Sequence, residues 1–196
     1  MKFIIARHTQ TVANTEKKLY GVTQSSLTQK GLLQVEKLSR ELGSQKVDFM
    51  YSSPLERAIA LADAISKGRG MEYEIRDELR ELNFGMFENK TYGQIEAQHP
   101  EEWKSWTSDY KGYTIPGGDN FMDWRNATTS FIDSIKENEG TALIVTHGGN
   151  ALNIIIHLLG MGIDDMWHFK IEPAARVYIE YTNGYGILSG IVPLGE

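Results

Sequence analysis

The sequence predicts an α/β protein, a three-layer α/β/α sandwich on a mainly parallel sheet with a small helical cap insert. Three observations carry that expectation. Short, mostly apolar runs recur at Phe3–Ala6, Val47–Tyr51 and Ala142–Val145, and strands apolar on both faces belong to a sheet covered on both sides. Each run is followed by a segment with helical spacing or helix-start signals, an alternation that gives parallel strands joined by crossover helices. Towards the end, Val177, Ile179 and Tyr181 alternate before Asn183-Gly184, which predicts a closing antiparallel hairpin at one side of the sheet.

The elements follow in order. After Phe3–Ala6 a turn-rich segment leads to Thr28, a helix cap, and Leu32, Val35, Leu38 and Leu42 recur at helical spacing up to Gly43. Ser53-Pro54-Leu55-Glu56 supplies a cap, a proline at the first helical position and a glutamate three residues after the cap, so a helix is expected from there to about Lys67. Phe121, Trp124, Phe131 and Ile135 mark a helix ending near Glu139-Gly140. After Ala142–Val145 and His147-Gly148-Gly149, an apolar helix is expected over Asn150–Leu159, closed by Gly160.

The 196 residues make one domain, 1–196, with an aromatic-rich insert at about 83–125. That insert carries Phe84, Phe87, Tyr92, Trp103, Trp106, Tyr110, Tyr113, Phe121 and Trp124, broken by Pro100 and Pro116-Gly117-Gly118. These aromatics read first as the core of a small cap and secondly as walls of a substrate pocket. No apolar run approaches the ~18 residues of a membrane helix. The net charge of −6 argues against a general nucleic-acid surface. With no cysteine, thiolate nucleophiles and zinc-thiolate sites drop out, and a reducing cytoplasm fits.

His8 and His147 each fall just past the carboxyl end of an expected strand, where ligands gather in open parallel sheets. Arg57 lies in the first turn of a helix, where the dipole disfavours a cation unless an anion is near. With Arg7 beside His8, two guanidiniums and two imidazoles at one sheet edge describe a site for a doubly charged oxyanion such as a phosphate monoester. Taken singly each feature is common and structural; together they point to phosphate. Spacing alone does not choose between Glu78 and Glu81 as an acid. His99, His157 and His168 show no ligand spacing with an acid, so packing or surface roles are expected for them, and no metal site.

Arg7-His8 with Thr11 and Asn14, Leu27-Thr28 with Gly31, Ser52-Ser53-Pro54-Leu55 with Arg57-Ala58, Leu79-Arg80-Glu81 with Phe84-Gly85, Pro116-Gly117-Gly118 and Thr146-His147-Gly148-Gly149 stand in a familiar order. From residue 3 to about 160 the chain resembles the histidine phosphatase superfamily, whose founding members are the phosphoglycerate mutases. The resemblance implies that His8 is a nucleophile that becomes a phosphohistidine, and that Arg7, Arg57 and His147 bind the phosphoryl group. It also selects Glu81 as the proton donor. Asn14, through its amide, Gly148, through its N–H, and Gly21 are candidate substrate-binding positions. No cofactor is implied, and the partner is a small phosphorylated molecule.

The chain departs from the family pattern at Thr9, Gln24, Asn89 and Asn153, where glycine, aspartate, glycine and arginine are usual. A β-branched Thr9 would be strained wherever positive φ is required. The expected activity is metal-independent hydrolysis of a small phosphate monoester. The alternative is a phosphoglycerate mutase-type phosphotransferase, disfavoured because only Lys90, Lys104 and Lys111 supply cations between Glu81 and Pro116. A third reading is a degenerate member that binds without turnover.

Overall fold

In the computed structural model, which describes residues 1–195, strand β1 (Lys2–Arg7) leads into a single helical turn α1 (Val12–Thr15), a short β2 (Lys18–Leu19) and helix α2 (Gln29–Gly43). Strand β3 (Phe49–Ser52), helix α3 (Glu56–Arg69) and the two-residue β4 (Glu74–Ile75) follow. The insert holds β5 (Lys90–Thr91), α4 (Tyr92–Gln98) and α5 (Pro100–Ser108). Helix α6 (Phe121–Ile135), strand β6 (Thr141–Thr146), helix α7 (Gly148–Leu158) and the hairpin β7 (Arg176–Thr182) and β8 (Tyr185–Val192) complete the chain.

The main sheet has the order β4-β3-β6-β1-β7-β8. Its first four strands are parallel, and β7 runs antiparallel to both β1 and β8. Alternate residues of each strand face opposite sides, and both sides are apolar. Phe3, Ile5, Ala142, Ile144, Val177 and Ile179 pack under α6 and α7, on Phe131, Ile132, Ile154 and Ile155. Ile4, Ala6, Met50, Leu143 and Val145 pack under α2 and α3, on Leu38, Leu42, Leu61 and Ile65. The three-layer sandwich follows from strands that cannot leave either face to water.

Several boundaries differ from those read in the sequence. β3 starts at Phe49 rather than Val47, because the Asp48 carboxylate takes the Thr141 N–H at 2.8 Å. Ser53 does not cap α3: the N-cap is Leu55, without a side-chain bond, and the Ser53 hydroxyl is used elsewhere. α3 runs on to Arg69 and stops at Gly70, which has φ 65. α6 ends at Ile135, the last of its apolar residues against the sheet. α7 begins two residues early, at Gly148.

The insert has its own apolar centre of Phe87, Ile95 and Ile115, packed by Phe84, Trp103, Trp106 and Tyr113. Phe121 and Trp124, at the start of α6, join Leu82, Ile156 and Met166 in a second cluster at its base. β2 and β5 pair as a separate small ribbon, so the insert is fastened to the segment that follows β1.

Candidate active site

Parallel pairing of β1 with β6 sets Arg7 opposite Thr146, so the residues after both strands emerge side by side. His8 and His147 are both buried, with ring centroids 5.3 Å apart. The backbone around His8 is fixed on two sides, by its N–H on Thr146 O at 2.9 Å and its carbonyl on the Ala174 N–H at 3.0 Å. Its Nδ1 lies 2.7 Å from the carbonyl of Thr9. A carbonyl only accepts, so Nδ1 carries the proton and Nε2 keeps its lone pair. Thr9 is buried and is not among the residues with positive φ, so the strain expected from replacing glycine does not arise.

His147 places Nε2 2.7 Å from Ser53 Oγ, while its Nδ1 is buried without a partner. The hydroxyl read as a helix cap therefore orients an imidazole. Burial, reinforced by Arg7 and Arg57, holds His8 well below the usual histidine range; burial, reinforced by Arg57, His8 and Arg7, does the same for His147. Both rings are neutral in this structure at neutral pH.

The guanidiniums rest on carbonyl oxygens. Arg7 Nη1 donates to Ile171 O, and Arg57 Nη2 and Nη1 donate to Gly21 O and Thr23 O. The Tyr20 ring lies against Arg57, 4.7 Å from Cζ to centroid, and edge-on to His8 at 6.3 Å. The Nε atoms of both arginines are buried without partners. Burial lowers the pKa of each, which expresses the cost of holding a cation away from water with no anion bound.

Glu81, also buried, accepts from Gly149 N at 2.9 Å on Oε2 and from Leu82 N at 3.3 Å on Oε1. Burial raises its pKa; the Gly149 N–H, Arg57, the Leu82 N–H and Arg7 oppose that rise. Of the two candidate acids, Glu81 is the one held beside the arginines, while the Glu78 backbone carbonyl receives Thr128 and Asn150 in the turn behind it. Gly148 opens α7 against Arg7, where an added Cβ would lie 3.1 Å from Cζ.

Asn14 and Gly21, the other expected binding positions, also make bonds within the protein. Asn14 sits in α1, where its Oδ1 accepts from Thr11 N at 3.0 Å and from Thr11 Oγ1 at 3.1 Å, leaving its amide hydrogens as the donating end. Gly21 has its N–H on Glu88 Oε1 at 2.9 Å and its carbonyl on Arg57, so it holds an arginine. The sequence does not mark Ser53, Tyr20 and Gly149 as site residues, although Ser53 and Gly149 stand within the quoted motifs. The Ser-Pro signal pointed to a cap, and nothing in a lone tyrosine or a second glycine marks the bond it makes.

The family model for the histidine phosphatase superfamily, branch 1, matches residues 3–191. The chain belongs to this superfamily. Among its relatives, the adenosylcobalamin/alpha-ribazole phosphatase of Salmonella typhimurium is 28% identical over 191 residues, 96% of this chain and 94% of that protein. Phosphoserine phosphatase 1 of Hydrogenobacter thermophilus is 24% identical over 177 residues, 89% of this chain and 84% of that one. The crystal structure of the alpha-ribazole phosphatase from Shigella flexneri superposes with a TM-score of 0.91 at 26% identity, covering 100% of this chain and 99% of that chain. As a histidine phosphatase by family, the chain has relatives named as hydrolases of phosphate esters. No helix among the described residues is long and apolar enough to cross a membrane.

Proposed function

We propose that the protein is a phosphatase that hydrolyses a small phosphate monoester through a phosphohistidine on His8. The observation that carries the reading is the His8 ring, locked by Thr9 O with Nε2 unprotonated and set between Arg7, Arg57 and His147. His8 Nε2 attacks phosphorus as the ester P–O bond breaks opposite it. Arg7, Arg57 and the Nδ1–H of His147 take the charge of the equatorial oxygens. Glu81, whose raised pKa keeps more of it protonated, gives its proton to the departing alkoxide. Water then attacks the phosphohistidine, Glu81 takes that water's proton, the P–N bond breaks and inorganic phosphate leaves.

Two of the three lysines between Glu81 and Pro116 favour hydrolysis over a mutase. Lys90 donates to Met86 O at 2.6 Å and Lys111 pairs with Asp164 at 2.6 Å, so neither is directed to a second phosphate or a carboxylate of a substrate. The names of the relatives support phosphoserine and ribazole phosphates as first substrates to try. A chain without cysteine suits the cytoplasm.

Phosphate release from a panel of monoesters in chelator is the test. His8→Ala is expected to abolish it; full activity in that variant would sink the reading. Glu81→Gln is expected to slow alkyl esters by about 10²-fold or more while leaving p-nitrophenyl phosphate much less affected, since a good leaving group scarcely needs a proton. Interconversion of 2- and 3-phosphoglycerate without net phosphate release would favour the mutase instead.

A further inference from the structure

Glu88 stands outside the group of side chains around the phosphoryl position. It follows the turn Gly85–Phe87 in the insert, and its carboxylate collects four backbone N–H groups. Oε1 accepts from Gly21 at 2.9 Å, Val22 at 3.1 Å and Phe84 at 2.9 Å, and Oε2 accepts from Thr23 at 3.2 Å. Gly21 and Thr23 are also the residues whose carbonyls accept from Arg57. Tyr20, the residue before them, lies against the same guanidinium. The approach is close: a Cβ on Gly21 would fall 1.6 Å from Leu82 O and 2.8 Å from Glu88 Oε1. One carboxylate thus fixes the loop that fixes Arg57, and fastens to it Phe84, at the entry to the insert.

We infer that Glu88 is a positioning residue that sets the Arg57 guanidinium through the loop 20–23 and so ties the seating of the insert to phosphate binding. The inference rests on the reading of Arg57 as a phosphoryl ligand. An ionised carboxylate accepts at both oxygens, so it can hold all four N–H groups at once. Glutamine has nearly the same shape but sets an NH2 group against the N–H that Oε2 now receives. The loop is then free to leave Arg57, whose long side chain must be ordered again each time an anion binds.

A double-mutant cycle on orthovanadate binding, read by calorimetry, tests this in the full-length protein. The variants are Glu88→Gln, Arg57→Ala and the pair, with exposed Glu96→Gln as a control expected to bind as wild type. Glu88→Gln is expected to weaken vanadate about tenfold when Arg57 is present and less than about twofold in the Arg57→Ala background. Equal weakening in both backgrounds, or unchanged affinity in Glu88→Gln, overturns the inference. If Glu88→Gln does not fold, Glu88→Asp takes its place in the same cycle with the same two criteria. Wild type that binds vanadate but hydrolyses no ester sinks the phosphatase reading alone; wild type that binds no vanadate overturns both.

Discussion

Thr9 shows what a single residue beside the proposed nucleophile can and cannot contribute. Its carbonyl sets the tautomer of His8, a task any residue there could perform, while its hydroxyl is buried without a partner. A buried hydroxyl that makes no bond costs about 1–3 kcal/mol. Thr9→Val is therefore expected to raise stability to urea by about 1 kcal/mol and to leave turnover unchanged. A loss of turnover in a more stable variant would mean that the hydroxyl serves the bound phosphate. Asn89 is the other departure that the backbone explains: it has φ 61, and asparagine tolerates the left-handed region where the family pattern has glycine. At this scale the sequence disclosed which side chains converge, because histidine and arginine past strand ends are conspicuous. It did not disclose Ser53 as the partner of His147, since the same serine before proline is an equally good cap signal.

Among the elements, α7 does most to assemble the site. Its N-terminus lies beside Arg7 through Gly148 and holds Glu81 through the Gly149 N–H. A Cβ on Gly149 would come within 2.8 Å of Glu81 Oε1, so Gly149→Ala has to push the carboxylate aside. The expected result is a loss of about tenfold on alkyl phosphates with little change on p-nitrophenyl phosphate, the same leaving-group signature as Glu81→Gln but weaker. Equal losses on both esters would show that the helix end contributes something other than placement of Glu81. Apolar strands and the capped α2 were legible as elements because burial on both faces and helical spacing leave a strong pattern. The starts of α3 and α7 were not, because both are set by bonds to residues remote in the chain. The one-turn α1 is too short to show a period at all.

Across the whole molecule, the buried ionisable groups make stability depend on pH in opposite directions. Burial holds His8 and His147 neutral, with folded pKa values well below the ordinary histidine value of about 6.5. The unfolded chain therefore binds more protons as pH falls through 6.5, and stability declines from there towards the depressed folded values. Glu81 has a raised pKa, so its contribution is present at low pH and is lost as pH rises past 4.5 towards the folded value. Two histidines outweigh one carboxyl near neutrality, so urea unfolding should show stability falling from pH 7 to pH 5.5. His147→Asn should flatten that slope, and an unchanged slope would place the titrating groups elsewhere.

The position of β1 has a consequence for when the site can form. Arg7 and His8 precede in the chain both strands that flank them, β6 and β7, and their backbone is held by Ala174 and Ala175. Of those two neighbours, β6 is complete at residue 146 and β7 only at residue 182. A chain stopped between those points has the parallel strands β3, β6 and β1 but lacks β7 and the bonds from Ala174 and Ala175 that fix the backbone of Arg7 and His8. The strand that carries Arg7 and His8 is thus held on one side only until β7 joins the sheet, and the proposed site is completed by the antiparallel hairpin rather than by the parallel core.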